Sequence, residues 1–221
     1  LKTLLKKELM ADGEMSGDER MSPIVERVEA QAFRETDLIS TEPITVVLSS
    51  KGWVRAARGH EVDPLELSYR SGDSYKFAVK GRTNQDSTFL DSTGRAYTLA
   101  AHTLPSARGQ GEPLTGRLSP ASGSTFEGVA IGEKDQQYLL ASDAGYGFVA
   151  TIGDMQTKNK AGKVILSLPK GALVMQPVLV NNYASDWIAA ISNEGRLLMF
   201  PVAELPVMAK GKGVKIMNIP P

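Results

Sequence analysis

The sequence has no cysteine, only two histidines and no apolar run longer than a few residues. Without thiols there is no disulfide framework, thiolate zinc finger, iron–sulfur cluster or cysteine nucleophile, and the composition suits a reducing compartment. Runs such as Trp187 to Ile191 fall far short of the ~20 residues a helix needs to cross a bilayer, so no membrane partner is expected. Net charge is also missing, because 25 Lys+Arg balance 25 Asp+Glu, which excludes a grossly basic nucleic-acid coat. His60 and His102 lie in different parts of the chain without paired ligand spacing, so neither is expected to hold a metal. The glycines of Lys210-Gly211-Lys212-Gly213 lack the spacing and the Lys-Ser/Thr ending of a nucleotide-binding loop. There is no Gly-x-Ser-x-Gly elbow, and the carboxylates are scattered. These absences predict no catalytic residue, cofactor or metal in this chain.

The residues that are present describe a globular chain of 221 residues, 42% hydrophobic and 23% charged. That length suits one large domain with an appendage, or two small ones. Leu1, Leu4, Leu5 and Leu9 alternate with Lys2, Lys6, Lys7 and Glu8 at helical spacing, which predicts an amphipathic helix and not a secretory leader. Met10 to Glu19, with Gly13 and Gly17, is expected to end that helix and begin a linker. The opening on a helix and the close on Pro220-Pro221 after an apolar run are both expected of a fragment. Charge is unevenly spread: residues 1–42 hold six Lys/Arg against ten Asp/Glu, and residues 43–221 hold 19 against 15.

The strongest internal signal is a repeat. Four segments share an apolar run, a polar tripeptide, a glycine and a second run: Val46 to Ala56, Thr88 to Thr98, Tyr138 to Val149 and Ile188 to Met199. Their glycines, Gly52, Gly94, Gly145 and Gly195, lie 42, 51 and 50 residues apart. A glycine ending a short turn supplies the positive φ of a bulged hairpin, and Ser, Asp and Asn beside it bond their own backbone. Each unit is therefore expected to hold a β-hairpin. Small or basic residues precede a second apolar anchor after each of the last three hairpins, at Leu114, Val164 and Val214. Further strands are expected near Ser74–Lys80, Phe126–Ile131 and Leu173–Val180, the last confined to an edge or bulge by Pro177. Four short strands in a period of 40–50 residues match a propeller blade. The expected fold is all-β, a propeller-like disc of about four to five four-stranded blades behind a short N-terminal helix. The apolar runs at 187–191 and 197–200 suggest strands covered on both sides.

Basic residues beside the linker glycines are the candidate site. Arg108, Lys158, Lys160, Lys163, Lys210, Lys212 and Lys215 recur at matching places in successive repeats. Lys51, Arg55, Arg58, Arg95 and Arg196 lie on or beside the hairpins. Matching places in a radial repeat fall on one rim, where glycine lets a phosphate approach backbone N–H groups and Lys or Arg neutralises it. Solvated connecting loops are the alternative.

Several strings carry a specific resemblance: Gly17-Asp18-Glu19-Arg20, Ser22-Pro23-Ile24-Val25, Gly52-Trp53-Val54-Arg55, Asp91-Ser92-Thr93-Gly94-Arg95, Leu104 through Leu114, and Ser142 through Phe148. They resemble the C-terminal domains of type IIA topoisomerase A subunits, over essentially the whole chain. The resemblance implies a β-pinwheel whose blades exchange strands and whose outer rim binds duplex DNA. It implies that residues 1–20 are the end of a catalytic-core helix and linker, and that residues 21–221 are the DNA-binding domain. The cleaving tyrosine of that family lies upstream, so Tyr69, Tyr75, Tyr97, Tyr138, Tyr146 and Tyr183 are assigned no such role. ATP and Mg would belong to other regions of the parent enzyme. The implied partners are the catalytic core, the ATPase B subunit (ParE) and the bacterial condensin MukB, in a cytoplasmic, nucleoid-associated setting. The Gln-Arg-Arg-Gly-Gly-Lys-Gly box of gyrase-type domains is absent, and Ala107–Gly111 and Lys210–Gly213 only echo it. That favours the topoisomerase IV branch over gyrase-like wrapping; a protein-docking scaffold is a further alternative.

Overall fold

The computed structural model describes residues 1–18 and 40–218. The chain divides into two compact units. The first contains helix α1, Lys2–Ser16, none of whose residues is buried. The helix runs on through Gly13, further than expected, and Gly17 adopts extended backbone after it. Arg20, the Ser22-Pro23-Ile24-Val25 string, the 20/21 boundary and Pro220-Pro221 lie outside the described residues.

The second unit is all-β. Its four hairpins are β1 Pro43–Ser49 with β2 Trp53–Arg58, β4 Asp86–Asp91 with β5 Arg95–Ala100, β8 Gln137–Ser142 with β9 Tyr146–Thr151, and β12 Trp187–Ile191 with β13 Leu197–Pro201. Every turn closes alike: Gly52, Gly94, Gly145 and Gly195 each donate N–H to the carbonyl three residues earlier, with φ of 76–79°. A residue with a Cβ is strained in this left-handed region, so glycine is the natural occupant.

The remaining strands complete three of the four sheets, and they do so by a fixed rule. The strand after a hairpin pairs with that hairpin's first strand: β3 Tyr75–Arg82 with β1, β7 Phe126–Gly132 with β4, and β11 Val178–Val180 with β8. A two-residue strand from the next repeat pairs with the second strand: β6 Glu112–Pro113 with β2, β10 Lys163–Val164 with β5, and β14 Val214–Lys215 with β9. Among the described residues the result is three four-stranded antiparallel sheets and the two-stranded β12–β13. As Pro177 requires, β11 is an edge strand.

Strand exchange explains the second anchor. The Gly52 carbonyl accepts from Leu114 N–H, that of Gly94 from Ile165 and Leu166, and that of Gly145 from Ile216 and Met217. The equivalent anchors are therefore Leu114, Ile165 and Ile216. Val164 and Val214 are instead 43% and 42% exposed. Three further glycines fall into line: Gly111, Gly162 and Gly213 all have positive φ, and a Cβ at each would strike residues of the preceding hairpin.

Apolar layers form between successive sheets. The first joins Val46, Leu48 and Val54 to Phe89, Tyr97, Phe126 and Leu114. The second joins Leu90 and Ala96 to Leu140, Phe148, Ile165 and Leu166. The third is thin: only Leu139, Val149, Val180, Val202 and Leu205 are buried in it. The expectation that 187–191 and 197–200 are covered on both sides is overturned. Trp187, Ile191, Leu197 and Met199 are 63%, 72%, 59% and 56% exposed, because no third or fourth strand flanks this hairpin among the described residues.

Candidate nucleic-acid interface

Sheet order separates an inner from an outer edge. On the inner side β3, β7 and the segment entering β11 approach one another. The Lys76 ammonium lies 2.8 Å from a Glu127 carboxylate oxygen, Gln176 Nε2 donates to the Lys76 carbonyl at 3.4 Å, and Gly81 and Gly128 lie against Ile131 and Pro177. The opposite edge of each complete sheet is an exchanged strand, β6, β10 or β14. The loops that deliver these strands, residues 106–111, 157–162 and 208–213, therefore occupy equivalent places on the outer edge of three successive sheets.

Most candidate cations fall there. Arg108, Lys158, Lys160, Lys163, Lys210, Lys212 and Lys215 are all exposed. Their equivalence is looser than the sequence pattern suggests. Aligning Leu114, Ile165 and Ile216 places Arg108 opposite Lys210, with Asn159 between them, and sets Lys160 and Lys212 against Gly109 and Gln110. The first loop carries Arg108 alone. Three lysines accompany each of the other two loops and their strands, at 158, 160 and 163 and at 210, 212 and 215.

Several cations are held in place. Lys163 Nζ donates to the Asp154 carbonyl at 2.8 Å, and the Lys212 ammonium sits 3.7 Å from the Tyr146 ring centroid. Lys215 Nζ donates to Asn218 Oδ1 at 2.5 Å. The half-buried Arg95 reaches the Ala161 and Gly162 carbonyls at 3.3 and 3.4 Å, tying β5 to the delivering loop. Lys51 is exposed in the first turn. Arg58 and Arg196 are engaged with carboxylates, beside Glu42 at 3.7 Å and Glu194 at 3.3 Å. Arg55 is only 2% exposed and spends its guanidinium inside the protein, out of reach of an external phosphate.

The sequence pattern missed Arg70. Its guanidinium carbon lies 4.4 Å from the Trp53 ring centroid, beside Lys51. Arg70 stands in the loop between β2 and β3, outside the repeat, so no periodicity marked it. Of the histidines, His60 bonds the Gly81 carbonyl at 2.9 Å and His102 is exposed. No cluster of three or more His, Asp or Glu capable of holding a metal occurs among the described residues.

The comparisons agree with this architecture. The family model described as the DNA gyrase C-terminal domain, a β-propeller, matches residues 136–181 and 186–221, the third and fourth units. The chain is 57% identical over 220 residues to the A subunit of DNA topoisomerase 4 from Pseudomonas aeruginosa and 54% identical to that from Escherichia coli K12. Both alignments take in the whole chain but 29% of each relative, so the chain spans less than a third of the curated relatives it matches. The solved structure of the E. coli ParC C-terminal domain is 54% identical, with a TM-score of 0.72 over 81% of this chain and 73% of that one. The DNA gyrase A C-terminal domain, 16% identical with a TM-score of 0.60 over 79% and 60% of the two chains, shares the fold. Hairpins completed by strands from the next repeat, together with this identity across most of a solved domain, show that the chain belongs to the family of ParC C-terminal domains, those of the topoisomerase IV A subunits.

Proposed function

We propose that this domain is a non-catalytic binding surface for duplex DNA, with phosphates following the outer edges of successive sheets. The observation that carries the reading is structural equivalence: strand exchange brings the loops 106–111, 157–162 and 208–213, with their exposed lysines and arginine, to one kind of edge three times over. Such a track neutralises phosphates without reading base edges, so its selectivity is for the path of the helix and not for sequence. A domain of this kind positions DNA segments for an attached type II topoisomerase and biases which crossings it acts on, in decatenation or relaxation. The core that cleaves DNA and the ATPase B subunit are its partners in that reading, and the condensin MukB is a further one. Gyrase-like wrapping is disfavoured because the Gln-Arg-Arg-Gly-Gly-Lys-Gly box is absent from the sequence.

The test is a salt titration of binding to a linear duplex. With ~4–6 phosphates neutralised, log K should fall against log salt with a slope of about −4 to −5. The double variant Lys210→Glu, Lys212→Glu should weaken binding and flatten the slope while the domain stays folded. An affinity indifferent to salt would eliminate the mechanism.

A further inference from the structure

We infer that the first blade carries a notch for a DNA phosphodiester, walled by Lys51, Arg70 and Gln110 and assembled from beneath by Arg55. The inference rests on the outer-edge reading above and specifies where the first blade holds a phosphate despite its sparsely charged delivering loop.

Lys51, Trp53, Arg70, Ser71, Asp73 and Gln110 line one open depression beside β2. Three separate segments converge there: the first hairpin turn, the loop before β3, and the loop that delivers β6. Arg70 sits over the Trp53 ring, a contact that limits its rotamers while its N–H groups can still reach phosphate oxygens. Lys51 leans over Gly72, where a Cβ would come within 3.2 Å of its ammonium. Neither cation is in an ion pair among the described residues. The one carboxylate in the lining is the half-buried Asp73. It accepts from the Ser49 hydroxyl at 2.7 Å and from the Lys51 and Ser74 amides at 2.9 Å each. Burial opposes its charge, but these bonds and the Lys51 charge hold its pKa below the ordinary value, so Asp73 draws partly on that lysine and leaves Arg70 as the freer cation of the notch.

Arg55 explains why these segments meet. Its Nη1 donates to the Ser68 carbonyl at 2.8 Å and to the Gly109 carbonyl at 3.0 Å, and its guanidinium lies 4.5 Å from the Tyr69 ring centroid. Among the described residues Nη2 is buried without a partner and no carboxylate forms an ion pair with the group. A buried cation without a counter-ion is costly. The two carbonyls it binds belong to the loops bearing Arg70 and Gln110, two walls of the notch. Arg55 is thus a positioning residue that never touches DNA.

The experiment compares wild type, Arg70→Ala, Lys51→Ala, Arg55→Met, Arg55→Lys and the double variant Arg55→Met, Arg70→Ala, each titrated with a fluorescein-labelled 20-base-pair duplex across a salt series. Arg70 is exposed, so its removal leaves folding intact. Arg70→Ala should weaken binding roughly three- to tenfold and reduce the salt slope by about one, as loss of one phosphate contact does. Arg55→Met should reproduce both changes, the double variant should add little to either single one, and Arg55→Lys should recover part of the loss. A purely structural Arg55 would lower thermal stability and leave the slope alone. If wild type binds with the expected slope but Arg70→Ala and Lys51→Ala bind identically to it, the notch is refuted and the outer-edge reading survives. If wild type itself shows no salt-dependent binding, both fall together.

Discussion

The first three hairpins and the fourth obey the same local rule and reach opposite outcomes. Each turns on a positive-φ glycine with the same backbone bond, yet Phe148 of the third is fully buried while Leu198, its counterpart three residues past the turn glycine, is 39% exposed. The difference lies in what later parts of the chain contribute. Three hairpins receive a strand on each side; among the described residues β12 and β13 have only each other. A hairpin is thus a local product, whereas a blade is a product of two repeats.

The largest effect expected from this contrast is in the core. Phe148→Ala should cost about 3–5 kcal/mol, because it opens a cavity in the second layer, whereas Leu198→Ala should cost under about 1 kcal/mol. Denaturant unfolding of the two variants measures both, and equal losses would mean that the fourth hairpin is as well covered as the third.

The turn glycines sharpen the same comparison. A Cβ at Gly94 would lie 2.0 Å from the Leu166 carbonyl oxygen, while one at Gly195 meets nothing within 4 Å. Gly195→Ala should cost only the left-handed backbone, about 1–2 kcal/mol, and Gly94→Ala roughly 3 kcal/mol or more as the docked strand is pushed away. Thermal melts of both proteins would give the difference, which measures strand exchange itself.

The smallest effect is in alkali. Burial, and then the bond and charge of Asp91, push the Tyr97 phenol well above its ordinary value, and burial raises that of Tyr138. A raised folded value means that the contribution is complete below the unfolded value near 10 and is lost as pH climbs beyond it. Each phenol should therefore cost under about 1 kcal/mol by pH 10.5. Tyr138→Phe should flatten that decline in pH-dependent melts, and an unchanged decline would place the sensitivity elsewhere.

Much of the fold was legible because its determinants are local. Gly52, Gly94, Gly145 and Gly195 announce their turns, and Tyr75, Phe77 and Val79 alternate as a strand should. The offset of the second anchor was not legible, since Val164 and Ile165 are interchangeable as apolar residues. Only the bond that the Gly94 carbonyl accepts from the Ile165 N–H decides that Ile165 is the anchor. The burial of Arg55 was equally hidden, because nothing in Gly52-Trp53-Val54-Arg55 reveals that two distant loops close over it. Arg70 escaped notice because it joins Trp53 through a stack across 17 residues of chain.

By itself the sequence determined the hairpins, their number and their glycine turns, because short-range backbone sterics act within a few residues. The tertiary structure decided which strand completes which sheet, which apolar run is covered and which arginine faces water. Those outcomes depend on hydrogen bonds and burial between segments well separated along the chain, and apolar pattern alone does not say which partner will arrive.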